Sequence, residues 1–130
     1  MNKEQPIILC VDDDVDDQQM VLESIRRLKP GYKVVAVYNG LEALQYLDKA
    51  EQLPALIILD INMPLLDGKQ TLIRLKNDTR LRTIPVVMFT TSSSILDKTF
   101  CAQWKVPFIT KPIQQEILNR DMVEILGLVQ

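Results

Sequence analysis

The chain has 130 residues, 47% of them apolar and 25% charged, the profile of one ordinary globular domain with a real core rather than a disordered segment. A net charge of −2 leaves no broad basic surface to neutralise nucleic-acid phosphates, so direct nucleic-acid binding is not expected. The chain contains no histidine, which removes Ser-His-Asp and Cys-His chemistry, His-containing zinc sites and a phosphohistidine carrier, and leaves carboxylates, hydroxyls and lysines to do any chemistry.

In chain order, Met1-Asn2-Lys3-Glu4-Gln5 leads into an apolar run over residues 6–11. That run is too short for a cleaved signal peptide and far too short to span a bilayer, so a cytoplasmic protein with no membrane attachment is expected. Residues 7–11 read as the first strand and end in a crowd of acids, Asp12, Asp13, Asp14, Asp16 and Asp17. Val21, Leu22, Ile25 and Leu28 then share one helical face, and Pro30-Gly31 stops that helix. A second strand is expected over 33–38. Asn39-Gly40 opens a second helix carrying Leu41, Leu44 and Leu47 on one face.

The third strand, 55–59, runs directly into Asp60, and Asp67-Gly68 caps the third helix. The fourth strand, 86–90, ends on Thr90, and the serines at 92 to 94 can cap the helix after it. The fifth strand, 106–110, is followed by Lys111-Pro112, with Pro112 expected as a first helical residue. Ile113, Ile117, Leu118, Met122 and Ile125 form the inner face of the last helix, which runs close to Gln130. A single domain over 1–130 with no output domain is therefore expected. Most of these strands are continuously apolar rather than alternating, and strand and helix alternate five times. That pattern points to an α/β, doubly wound parallel sheet covered on both faces. Cys10 and Cys101 form no C-x-x-C pair and read as reduced, buried thiols.

In such sheets ligands bind beyond the carboxyl ends of the strands, where strand order reverses. Asp12 and Asp13 follow the first strand and Asp60 follows the third. If the strand order is 2-1-3-4-5, those strands are neighbours and three carboxylates converge. Like charges so close need a compensating cation, and an oxygen-ligated Mg²⁺ that keeps several waters suits them. Thr90 brings a hydroxyl to the same edge and Lys111 a positive point charge. A metal, a lysine and a hydroxyl around one nucleophilic carboxylate suit phosphoryl transfer, which consists largely of positioning and charge stabilisation.

These residues resemble the receiver domains of two-component response regulators, the stand-alone chemotaxis regulators among them. The resemblance rests on Asp12-Asp13, on Asp60-x-x-Met63-Pro64-x-x-Asp67-Gly68, on Thr90 and on Lys111-Pro112, and it covers essentially the whole chain. It implies a flavodoxin-like (βα)5 sheet of order 2-1-3-4-5 and a phosphorelay function. A sensor histidine kinase or His-phosphotransfer protein would donate to Asp60. Asp13, Asp60 and the backbone carbonyl of Asn62 would bind Mg²⁺, with Asp12 acting through a water. Lys111 would pair with the phosphoryl oxygens, and its bond to Pro112 would be cis. Thr90 would hydrogen-bond the phosphoryl group and Phe108 would turn inward behind it, altering the surface seen by an unknown downstream protein. Asn62 and Ser92 would occupy the positions that tune phosphoryl lifetime. The chain would be a monomer or weak dimer that catalyses only its own phosphorylation and dephosphorylation.

Other readings stand beside this one. Asp14, Asp16 and Asp17 read simply as charge at a helix start. Thr91 could replace Thr90 if the fourth strand ends one residue later, and Phe108 could be plain core. Where the family commonly ends its fourth helix in Gly-Ala, this chain has Trp104-Lys105, so that helix ends differently or offers its tryptophan to a partner. A haloacid-dehalogenase-like phosphatase using Asp12 would want a Thr or Val two places after its second Asp, and the chain is short for that fold. A nucleotide-binding module would want a glycine-rich turn, yet there are four glycines and no G-x-G-x-x-G. A receiver-like partner-binding module without phosphorylation would commonly lack the acceptor or the lysine.

Overall fold

The computed structural model describes residues 5–129; the leading segment Met1 to Glu4, where no signal peptide was expected, and Gln130 lie outside the described residues. Strands β1 (Ile7–Val11), β2 (Lys33–Val37), β3 (Leu56–Leu59), β4 (Val86–Thr90) and β5 (Phe108–Thr110) alternate with five helices. These are α1 (Val15–Leu28), α2 (Gly40–Lys49), α3 (Gly68–Lys76), α4 (Ile95–Gln103) and α5 (Gln115–Leu126). All strand pairs are parallel and the sheet order is β2-β1-β3-β4-β5.

The sequence explains the central strands directly. Every residue of β1, β3 and β4 is buried, which their unbroken apolar runs require, because helices cover both faces. Successive side chains then feed opposite layers. Leu9, Val11, Ile57, Leu59 and Met88 pack with Leu47, Leu72, Leu75 and Cys101 on one face. Ile8, Cys10, Ile58, Val87 and Phe89 pack with Val21, Ile25, Leu118, Met122 and Ile125 on the other. Both cysteines are free and buried, and burial pushes the Cys10 thiol up to about 12, with the charge of Asp12 adding to the rise. Among the described residues no helix is long and apolar enough to cross a membrane.

Helix starts follow the expected caps. Asp14 accepts from the Asp17 N–H, Asn39 from Glu42, and Ser94 from Leu96, while Asp67 and Gln70 form a reciprocal capping box.

Several expectations are corrected. The fifth strand begins at Phe108 rather than 106, since Pro107 has no N–H for the ladder. Pro112 is not the first helical residue. The Lys111 N–H extends the ladder to the Thr90 carbonyl at 2.7 Å, and a residue preceding proline resists helical geometry. The chain therefore stays extended past the strand and α5 starts three residues later, which leaves Ile113 98% exposed instead of on the inner face. Leu41, in the first turn of α2, is likewise exposed. No peptide bond among the described residues is cis, so Lys111–Pro112 is trans, the isomer that X–Pro bonds favour intrinsically.

The unusual end of α4 also has a physical form. Trp104 is the C-cap and packs, half-buried, against the chain's own core. Lys105 takes φ 58°, the left-handed conformation for which glycine is suited. Lys105→Gly is therefore expected to stabilise the fold by about 0.5–1 kcal/mol, measured by urea unfolding.

Gly68 presents the opposite case. A Cβ there would sit 2.1 Å from the Asp60 carbonyl oxygen and 2.7 Å from the Ile61 Cα. Alanine at a first helical position ordinarily helps, but here the backbone beside β3 must move to admit it. Gly68→Ala is expected to cost about 2–4 kcal/mol in the same assay.

Candidate functional site

β1 and β3 are adjacent, yet their crossovers run to opposite sides of the sheet, so a crevice opens beyond their carboxyl ends. Backbone bonds fix its floor: the Asp12 N–H donates to the Val37 carbonyl at 3.1 Å and the Asp60 N–H to the Val11 carbonyl at 2.9 Å. Asp12 and Asp60 are both buried, and Asp13 stands exposed beside them. Each of the three offers a carboxylate oxygen within 4.8 Å of the others. The Ile61 N–H binds one Asp60 oxygen at 2.7 Å and the Asp14 N–H one Asp12 oxygen at 3.0 Å, which orients both carboxylates.

Lys111 enters from the end of β5. Its Nζ lies 2.6 Å from Asp12, 3.0 Å from Asp17 and 3.2 Å from Asp60, and only 8% of its side chain is exposed. Burial works against the ammonium, but the hydrogen bond to Asp12 and the charges of Asp60 and Asp12 outweigh it and hold Lys111 charged far above neutral pH. Burial also pushes the Asp12 carboxyl up to about 6, and the Asp60 charge adds to the rise. The Lys111 hydrogen bond and the Asp14 amide oppose it. Both partners remain ionised at neutral pH.

β4 ends on Thr90, which is fully buried, whereas Thr91 is exposed. The Thr90 hydroxyl oxygen accepts from the Ser92 N–H at 3.3 Å. Phe108 lies on β5 beside Met88, half-buried against the larger core layer. Asn62 is exposed in the loop after Asp60. The structure therefore brings Asp12, Asp13, Asp60 and Lys111 together, and sets Thr90 and Ser92 on the adjoining strand end and loop.

Three features escaped sequence reasoning. Asp17, read as helix-start charge, also binds Lys111. Gln18 is buried and donates through Nε2 to the carbonyls of Cys10, Asp12 and Val37, tying the ends of β1 and β2 to α1. Its signal was available: Gln18, Val21 and Ile25 share one helical stripe, and a polar residue in an apolar stripe needs partners. The third feature is Asp97, which accepts from Ser92 and pairs with Lys69, both of which hold its carboxyl below the usual range.

The donor set is all oxygen and acidic, with Asp12, Asp17 and Asp60 on one ammonium and Asp13 beside Asp12 and Asp60. It fits a hard divalent cation, which would bind Asp12, Asp13 and Asp60.

Comparison with known proteins agrees with this geometry. The family described as response regulator receiver domain matches residues 8–122. The chain is 34% identical over 124 residues, 92% of this chain and 80% of the other, to the probable methanogenesis regulatory protein FilR2 of Methanothrix harundinacea. Among solved structures it resembles the phosphorylated cyanobacterial phytochrome response regulator RcpA, with TM-score 0.89 and 30% identity, covering 96% of this chain and 94% of that one. It also resembles the Mn²⁺-bound form of response regulator Rcp1, with TM-score 0.85 and 28% identity, covering 94% and 92%.

The raised Asp12 carboxyl makes a pH prediction for metal-free protein. A carboxyl raised on folding contributes stability below its ordinary value of 3.8 and loses that contribution as pH rises through about 6. Asp12→Asn cannot ionise, so it should gain on the unsubstituted protein across this window. Solvent at the rim screens the gain to the order of 1 kcal/mol. Urea unfolding in chelator on either side of the window checks it, and a difference that does not change with pH would count against the charge crowding.

Proposed function

The chain belongs to the family of response regulator receiver domains, and on that footing we propose that Asp60 is its phosphoryl acceptor and Mg²⁺ its cofactor. Receiver domains of two-component systems are phosphorelay signalling proteins rather than enzymes acting on a metabolite, and they accept phosphoryl groups from histidine kinases. The observation that carries the proposal is Lys111 Nζ bound to both Asp60 and Asp12 at the reversal point of the sheet. A surface lysine would not be buried against carboxylates from two separate strands.

An Asp60 oxygen attacks phosphorus while the P–N bond to the donor imidazole breaks, so the nucleophile needs to be ionised and aimed. The Ile61 amide and Lys111, each bonded to an Asp60 oxygen, aim it. Lys111 then meets the oxygens of the transferred group as a positive point charge. Asp13, Asp60 and the Asn62 backbone carbonyl would hold the cation, with Asp12 acting through a water; the Mn²⁺-bound Rcp1 is a neighbour that holds a divalent ion. When bound, Mg²⁺ offsets the charge that the phosphoryl oxygens add to those carboxylates. Thr90 supplies a hydroxyl once it turns from the Ser92 amide, and Phe108 follows into the space behind it. That pair would link phospho-Asp60 to the surface of α4, β5 and α5, shifting an existing two-state balance. Asn62 and Ser92 flank the acceptor where they can guide water and so set the lifetime of the phosphoryl group. In this reading the described domain acts in the cytoplasm, takes its phosphoryl group from a sensor kinase or His-phosphotransfer protein, and passes its state to another protein.

Incubation with Mg²⁺ and acetyl phosphate is expected to add the mass of one phosphoryl group. The addition should vanish in Asp60→Asn and in excess chelator, and it should survive in Thr90→Ala. Undiminished addition in Asp60→Asn would refute the assignment.

A further inference from the structure

We propose that Asp17 is a positioning residue for phosphoryl transfer, holding the Lys111 ammonium at the rim of the crevice and out of the space a divalent cation takes. The proposal rests on the receiver reading above. Lys111 has three carboxylate partners, Asp12 at 2.6 Å, Asp17 at 3.0 Å and Asp60 at 3.2 Å. Asp12 and Asp60 belong to the convergent cluster with Asp13, whereas Asp17 does not. It stands on the first turn of α1 with its side chain 31% exposed, against 11% for Asp12 and 8% for Asp60.

An ammonium and a divalent ion compete for the same oxygens. A buried lysine carries three donors and needs acceptors wherever it goes, since leaving it unpaired is strongly unfavourable. Once a cation draws on Asp60 directly and on Asp12 through a water, Asp17 is the carboxylate that stays wholly with Lys111. The helix start makes this possible. Asp14, not Asp17, caps α1, and it does so by accepting the Asp17 N–H at 3.0 Å. The Asp17 carboxylate is thereby spared for Lys111. Without it, the ammonium is drawn deeper between Asp12 and Asp60 and opposes the cation. A negative charge serving only the helix dipole, or attracting the cation at a distance, would act whether or not Lys111 were present.

The difference is read by a double-mutant cycle on Mg²⁺ affinity, measured by isothermal titration calorimetry of the full chain. Asp17→Asn is expected to weaken Mg²⁺ binding roughly threefold to tenfold. In the Lys111→Met background the same change should have less than about a twofold effect, and Asp17→Glu should restore most of the affinity. If Lys111→Met fails to fold, Lys111→Gln serves the same cycle. An equal loss in both backgrounds, or no loss in either, overturns the positioning role and leaves the receiver assignment standing. An unsubstituted protein that binds no Mg²⁺ overturns the metal-dependent reading itself, and this role with it.

Discussion

Four carboxylates and one ammonium crowd the open end of the sheet, and most of what is specific to this molecule follows from how that crowding is relieved. Asp12 and Asp60 are buried where water screens them only weakly, and Lys111 alone cannot neutralise the group. The protein tolerates this because Asp12 and Asp60 are each also bound by a backbone amide and because Lys111 reaches three of the four carboxylates. The arrangement is matched to a further positive charge. It therefore suits a divalent cation.

The fold supplies this crowding through topology. A parallel sheet ends all its strands on one edge, and the order β2-β1-β3-β4-β5 makes the strands that end in Asp12 and Asp60 neighbours. Burial of β1, β3 and β4 on both faces makes these strand ends rigid, while the loops beyond them remain free to carry polar groups. Gly68 lets α3 press against the Asp60 backbone, and Gln18 clamps the ends of β1 and β2. Both residues serve the site from outside it.

Much of this was legible in the sequence where local rules suffice. The continuous runs of β1, β3 and β4 announced doubly covered strands, and Asp14, Asn39, Asp67 and Ser94 stood where caps belong. The acids at 12, 13 and 60 and Lys111 could be placed once strand ends were known. Legibility stopped where a contact joins distant positions or where the backbone departs from its local preference. Asp17 looked like helix-start charge because its partner lies 94 residues away. Ile113 carried a helical period but sits in a loop, since the Lys111 amide continues the ladder and Pro112 delays the helix. Nothing in Trp104-Lys105 foretold which residue would take the left-handed turn, and the trans Lys111–Pro112 bond departs from what the resemblance implied.

We propose that the crowded crevice receives a metal-bound phosphoryl group on Asp60. Fluorine NMR with beryllofluoride, a phosphoryl mimic, tests that most directly. With Mg²⁺ present, resonances of fluoroberyllate bound to the protein in slow exchange are expected, absent in chelator and absent in Asp60→Asn. A spectrum of free fluoroberyllate alone, or bound resonances that persist in Asp60→Asn, would contradict the account.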